Sequence, residues 1–384
     1  MSKDTIDYDS EEQINIFKEI LKTPSENPGD YEEGVAKVIS DILKQEGIES
    51  RLVPIDDNRV NLYATLESGV NGNHLLFNGH LDTVPTGDGW SVDPFGGEEV
   101  DGYIYGRGAS DMKAGVASMV YAAICLKRAG YPKTGKLTLF FNADEERINL
   151  GMKQFLQENL EADYAIISEP TDLDIAIGHR GVARFYLKTQ GEAGHSCYVK
   201  KPINAIEKMS GILPGLFQYT ESIRKEKNDD FLGHAISNIT TINGGVAGNI
   251  IPDECVVEID RRTLPGETIE DIEEEYHQVI RNWNSTIPYE LERYTFLPAS
   301  LISSDHPFVE TLQEKANRHV ENSNIKSFEA TCEAPFFSVE KGIPTIIFGP
   351  GSISEAHVTN EKVAKEEIIQ ASHIFIDLCE EILA

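Results

Sequence analysis

Apolar residues in the first part of the chain follow two rhythms, helical spacing and short unbroken runs. Ile14, Phe17, Ile20 and Leu21 recur at the helical interval behind Ser10-Glu-Glu-Gln13, which has the form of a capping box. A second helix is predicted over residues 31–45, stopped by Gly47. Residues 51–55 and 60–66 read as strands joined by an Asp56-Asp-Asn58 turn. Leu75-Leu-Phe77 suits a strand buried on both faces, and it ends in Asn78-Gly79 just ahead of His80 and Asp82. Residues 114–128 form a helix of small residues, ended by Gly130-Tyr-Pro132. Residues 136–142 are the next strand, stopping at Ala143-Asp-Glu-Glu146, then comes a helix over 150–160. A strand over 164–167 ends in Ser168-Glu-Pro170.

Strand and helix in alternation predict an α/β domain with a mixed, largely parallel sheet flanked by helices. Sites in such sheets lie at the carboxyl ends of the strands, and His80, Glu145, Glu146 and Glu169 each follow a predicted strand. From Arg180 the rhythm changes. A strand over 182–190, a helix over 202–219, strands over 237–242 and 255–260, a helix over 269–284 and a strand over 289–295 give the order βαββαβ of a ferredoxin-like sandwich. After Pro298 a helix (308–319), a strand (345–348) and a helix (363–383) resume the first pattern. The expectation is a catalytic domain of residues 1–178 and 298–384, interrupted by an inserted domain of residues 179–297.

Composition narrows the class. At 384 residues, two domains are expected. A net charge of −30 repels nucleic acid and anionic membrane surfaces and tolerates divalent cations or a small cationic substrate. No apolar stretch is long enough to span a membrane, and the acidic N-terminus lacks the apolar core of a signal peptide. Cys125, Cys197, Cys255, Cys332 and Cys379 are scattered, odd in number and never paired as Cys-x-x-Cys. Reduced thiols in the cytoplasm are expected, with no disulfide frame and no cysteine-ligated zinc.

His80 and Asp82 share a face of extended chain, so the carboxylate can hold the imidazole and leave its other nitrogen for a metal. His80, Asp111, Glu146, Glu169 and His357 make an oxygen and nitrogen donor set suited to a hydrolytic zinc, cobalt or manganese site. Five ligands exceed what one tetrahedral catalytic ion uses. Two ions bridged by Asp111 account for all five, each with one His and one terminal carboxylate. Glu145 and Glu146 are consecutive at a strand end, so one can bind metal while the other faces the water.

Gly79-His-Leu-Asp-Thr-Val-Pro85, Tyr105-Gly-Arg-Gly-Ala-Ser-Asp-Met-Lys113, Ala143-Asp-Glu-Glu146 and Ser168-Glu-Pro-Thr171, in this order, resemble the dinuclear zinc amidohydrolases. That family includes acetylornithine deacetylase, succinyl-diaminopimelate desuccinylase, aminoacylase and carboxypeptidase G. The likeness runs from about Glu12 to the C-terminus. It implies two divalent ions, zinc first, with His80 and Glu169 on one ion and Glu146 and His357 on the other. It also implies Asp111 as the bridge before a cis peptide bond, Asp82 as the group orienting His80, and Glu145 as general base toward the metal-activated water. His195 in Gly194-His-Ser196 resembles a histidine that reaches the oxyanion from the opposite subunit, which implies a homodimer through the inserted lid domain. Asn249 and Arg262 match positions that hold the substrate carboxylate. Arg261 and Arg262 alternate faces, so only one of the two can reach a site.

Cys332-Glu-Ala-Pro-Phe336 and Phe348-Gly-Pro-Gly-Ser-Ile-Ser-Glu-Ala-His357 resemble the acetylornithine deacetylases more than the desuccinylases. Glu333 is then expected to face a cationic substrate side chain. The activity implied is hydrolysis of the N-acyl amide of a small N-acyl amino acid or short peptide. A desuccinylase, a dipeptidase or carboxypeptidase, or a non-catalytic binding relative are the alternatives.

Overall fold

The computed structural model describes residues 6–197 and 203–384. Contacts divide the chain into two units, one running to Gly178 and resuming over Leu301–Ala384, the other His179–Ser300.

The first unit is built on an eight-stranded sheet. Its order is Ser50–Asp56, Arg59–Glu67, Lys136–Asn142, His74–His80, Tyr164–Ile167, Thr345–Ile347, Ile175–Ala176 and Ile325–Lys326. His74–His80 lies parallel to both Lys136–Asn142 and Tyr164–Ile167, and Thr345–Ile347 continues the parallel run. The hairpin Ser50–Glu67 joins this run antiparallel. All seven residues of His74–His80 are buried, as its continuous apolar run requires.

Side chains alternate across the sheet and build two cores. On one face Phe77 packs against Phe375 of helix Lys365–Ile382, ring centroids 5.1 Å apart. Helices Ser10–Leu21, Ala114–Arg128 and Lys365–Ile382 pack on one another there. On the other face Phe140 stacks between Tyr63 and Phe155 at 4.7 and 4.8 Å, with Phe337 closing the cluster.

The first helix is capped one residue earlier than the capping-box pattern predicts. Asp9, not Ser10, accepts from the backbone N–H groups of Glu11 and Glu12. Gln13 is buried and donates to Ile368 O and Ser372 Oγ, both at 2.6 Å. A tertiary partner thus overrides the local reciprocal bond. The helices expected over 150–160 and 363–383 are Leu150–Phe155 and Lys365–Ile382, the latter preceded by strand Lys362–Ala364. That strand joins Tyr103–Tyr105 and Glu98–Val100 in a small sheet which the pattern of apolar residues does not reveal.

The second unit, taken by itself, has a four-stranded antiparallel sheet. Its order is Ile236–Gly244, Glu254–Thr263, Gly181–Gln190 and Glu290–Leu297. In the chain these strands alternate with helices as strand, helix, strand, strand, helix, strand. The helix expected over 202–219 is two, Ala205–Ser210 and Leu213–Glu226, and Pro202 lies outside the described residues. Phe185, Leu187, Val257, Ile259 and Tyr276 lie at the centre of its core.

Candidate metal centre

Three parallel strands end side by side and deliver His80, the Ala143–Glu146 turn and Glu169 to one place. Asp111 comes from the turn Ala109–Lys113 ahead of helix Ala114–Arg128, and the Asp111–Met112 peptide bond is cis. Its two oxygens face different histidines. Oδ1 is 2.9 Å from His80 Nε2, and Oδ2 is 3.2 Å from His357 Nε2. His357 Nε2 is also 3.0 Å from Glu146 Oε2. Donor atoms of His80, Asp111 and Glu146 all fall within 4.8 Å of one another. Glu169 lies outside that group. Its donor atom falls within the same distance of Cys332 and Glu333, all three buried.

Asp82 does not hold His80 through its carboxylate. His80 Nδ1 is 2.8 Å from the Asp82 main-chain carbonyl, and the carboxylate Oδ1 is 3.8 Å away. The carboxylate accepts instead from the backbone N–H of Glu145 at 3.0 Å and of Glu146 at 3.2 Å. Spacing of i and i+2 places the carboxylate on the right face, but the chain bends after His80 and turns it toward the neighbouring strand end. Asp82 therefore fixes the main chain of the two glutamates as well as the tautomer of His80.

Behind this turn lies a buried network that motif reading missed. Asn27 Nδ2 donates to Asp82 Oδ2 at 2.8 Å and to Asp144 Oδ1 at 2.9 Å. Arg59 pairs with Asp144 and, at 3.6 Å, with Glu32. Asp144 has φ 67°, a left-handed backbone that reverses the chain between Ala143 and Glu145. Asp82 and Asp144 lie in motifs, but Asn27, Glu32 and Arg59 come from other stretches of the chain and no local signal marks them.

Charge is concentrated here. Burial first, then Glu333, pushes the Glu145 carboxyl well above its ordinary range, although His80 pulls the other way. Burial and the charge on Asp111 raise Glu169 in the same manner, and burial also raises Glu146 and Glu333. Desolvation opposes a charge on His80, yet the hydrogen bond and charge of Asp111 outweigh it and raise His80 well above the usual histidine value. Asp111 and Glu146 raise His357 to about 10. Glu333 Oε1 accepts from Asn142 Nδ2 at 2.6 Å, whereas its buried Oε2 has no hydrogen-bond partner among the described residues. A cluster of carboxylates with their oxygens turned on two imidazoles suits cations, and the oxygen and nitrogen donors fit two hard-to-borderline divalent ions. Cys332 brings a buried thiol to this group beside Glu169 and Glu333. Its one sequence signal is adjacency to Glu333.

The remaining expected residues lie in the second unit. Gly194–His195 pairs with Ile250–Ile251, and Ser196 N donates to Asn249 O at 3.1 Å, so two distant motifs meet. Arg261 is fully buried and pairs with Glu267 at 2.6 Å, while Arg262 points to the other face, its Nε 2.9 Å from Asp260 Oδ1. Of the two arginines, Arg262 is the one with surface access.

A family model described as peptidase family M20/M25/M40 matches residues 76–381. The chain is 31% identical over 363 residues to an acetylornithine deacetylase of Photorhabdus laumondii, covering 91% of each. It is 30% identical over 383 residues to a succinyl-diaminopimelate desuccinylase of a Nitratiruptor species, covering 95% of this chain and 98% of that one. Its fold matches a tripeptidase from Staphylococcus aureus with a TM-score of 0.79 at 21% identity, over 98% and 99% of the two chains. Three strand ends carrying histidine and carboxylates, and likeness along nearly the whole length, lead to one conclusion: the chain is a metallohydrolase of the M20/M25/M40 peptidase family.

Proposed function

We propose that this enzyme hydrolyses the N-acyl amide bond of an N-acyl amino acid, with an N-acetylated cationic amino acid such as N-acetylornithine as the substrate. The observation that carries the reading is Asp111, whose two carboxylate oxygens each face a different histidine. His80, Asp111 and Glu169 would hold one divalent ion, and Asp111, Glu146 and His357 the other. Two such ions, zinc before cobalt or manganese, supply carbonyl polarisation and a lowered water pKa when bound.

Glu145 takes the proton from the attacking water and returns it to the leaving amine nitrogen. Asp82 supports that role by fixing the Glu145 backbone. Glu333, with its unpaired buried oxygen, receives the cationic side chain. Arg262 and Asn249 hold the substrate carboxylate. His195 of the partner subunit donates to the oxyanion, so the working form is a homodimer assembled through unit His179–Ser300, which acts as its lid. The acidic, reduced-thiol chain works in the cytoplasm, without nucleic acid or membrane partners. A succinylated diamino acid is the second reading, supported by the desuccinylase relative at 30% identity.

The test is metal analysis together with an assay panel. Two ions per chain and turnover of N-acetylornithine above N-succinyl-diaminopimelate and dipeptides are expected. A Glu145→Gln variant should retain both ions and lose several orders of magnitude in kcat. Near-normal turnover in that variant removes Glu145 as the base, and inactivity of the loaded wild-type enzyme on the whole panel removes the amidase reading.

A further inference from the structure

Arg107 and Glu361 are buried beside the metal centre and have no part in the chemistry above. One Glu361 carboxylate accepts from three backbone N–H groups of the segment that presents Asp111, those of Gly108, Ser110 and Asp111. Oε1 accepts from the backbone N–H of Ser110 at 2.8 Å and of Asp111 at 3.0 Å. Oε2 accepts from Gly108 N at 3.0 Å and from Arg107 Nη1 at 2.6 Å. Arg107 then reaches two further loops, those that follow His357 and His80. Nη1 also donates to Val358 O at 3.3 Å, the residue after His357. Nη2 donates to Pro85 O at 3.4 Å and Thr86 O at 3.3 Å, in the loop that follows His80 and Asp82. The guanidinium carbon lies 5.4 Å from the Trp90 ring centre, and Trp90 Nε1 donates to the same Thr86 carbonyl at 2.9 Å.

Three loops distant in sequence thus share one ion pair. Main-chain pairing anchors it on one side, where Gly106 N donates to Glu361 O and Lys362–Ala364 pairs with Tyr103–Tyr105. The His357 loop needs such an anchor. His357 and Asn360 have φ 61° and 62°, a sparsely populated region that persists only where surrounding contacts over-determine it. Asn360 Oδ1 adds a further tie by accepting from Ser91 N at 2.8 Å and Ser91 Oγ at 3.1 Å.

We propose that the Arg107–Glu361 pair is a positioning device that sets the separation of Asp111 and His357, and through it the affinity for the second divalent ion. The proposal rests on the two-ion reading of the site. His80 and Glu169 stand on strand ends that the sheet holds, so the first ion depends less on the pair. His357 stands on a loop that the sheet does not hold.

Removal of one member of a buried pair also destabilises a fold, so the test separates affinity from stability. Full-length protein is stripped of metal, its thermal midpoint is recorded, and Zn2+ is titrated calorimetrically, with Co2+ absorption as a second readout. Wild type should take up two ions. Glu361→Gln should keep first-ion affinity within about threefold and lose roughly ten- to a hundredfold on the second, the range for lost outer ligand-orienting contacts. The absorption gained with the second Co2+ equivalent should change in the same variant. Arg107→Lys keeps the charge but cannot span the three carbonyls, and it should show the same pattern. It carries the test if Glu361→Gln does not fold. Glu361→Asp should recover part of the second-ion affinity. Unchanged binding of both ions, or loss of both in step with a lower midpoint of the stripped protein, overturns the proposal. Fewer than two ions in wild type instead overturns the two-ion reading, and the proposal falls with it.

Discussion

At the residue scale, single carboxylates here differ in what their surroundings ask of them. Glu333 carries an unpaired buried oxygen, and its neighbours Glu145 and Glu169 repel further negative charge. A substrate ammonium there would relieve both. Glu333→Gln should raise KM for a cationic N-acyl amino acid by about five- to tenfold and leave a neutral one within about twofold, since a charge-assisted bond exceeds a neutral one by roughly 1–1.5 kcal/mol. Equal changes for both substrates would remove Glu333 from recognition. Glu32 offers a test of the network behind the site. Burial, then the charge on Asp82, raises its carboxyl to about 7 despite Arg59. Between about 4.5 and 7 the folded chain keeps a proton that the unfolded chain has released, so this group makes stability fall as pH rises through that window. Urea denaturation at pH 5 and pH 7.5 should show Glu32→Gln gaining on wild type by about 2–2.5 kcal/mol between the two, since one retained proton is worth about 1.4 kcal/mol for each pH unit crossed. A difference independent of pH would show that Glu32 is ionised throughout.

At the element scale, the small residues of helix Ala114–Arg128 have a specific cause. A Cβ on Gly115 would come 2.2 Å from the Ser168 carbonyl oxygen, a backbone atom that cannot step aside. The helix therefore packs directly on the strand end that carries Glu169. Gly115→Ala should lower stability by about 1–3 kcal/mol through overpacking and should weaken metal binding, because Ser168 and Glu169 must move together. A calorimetric melt and a zinc titration on the same sample check it, and full retention of both would mean that the helix shifts freely. Gly79 is tight in another way, since its added Cβ would come 2.9 Å from Met112 Cε, the end of a flexible side chain, and 2.9 Å from Cγ2 of the stiff, buried Val116.

At the scale of the whole molecule, the residues proposed to hold the ions all belong to the unit running to Gly178 and over Leu301–Ala384. Bound ions should therefore raise the melting temperature of that unit and leave His179–Ser300 unaffected. A site filled to about a thousand times its dissociation constant adds about 4 kcal/mol, or on the order of 10 °C for a unit of this size. Scanning calorimetry with and without a chelator would show one transition moving. Two transitions moving together would mean that the units unfold as one. No helix among the described residues is long and apolar enough to cross a membrane.

Amino-acid order alone determined the alternation of strands and helices, and with it the row of carboxyl strand ends where His80, Glu145, Glu146 and Glu169 stand. Periodicity is a local property, and strand ends inherit their chemistry from the next few residues. Strand order, by contrast, depends on which distant runs meet, and Lys136–Asn142 lies between Arg59–Glu67 and His74–His80 for reasons no window reveals. The same holds for Asp82, whose carboxylate turned from the imidazole beside it to the backbone of another strand. It holds also for Asn27, Arg59 and Glu361, which carry no motif, and for Arg107, whose motif does not reveal its partner; all four gain their roles from buried partners far along the chain. Burial decided these contacts, because a charged group removed from water must find its partners wherever the fold places them.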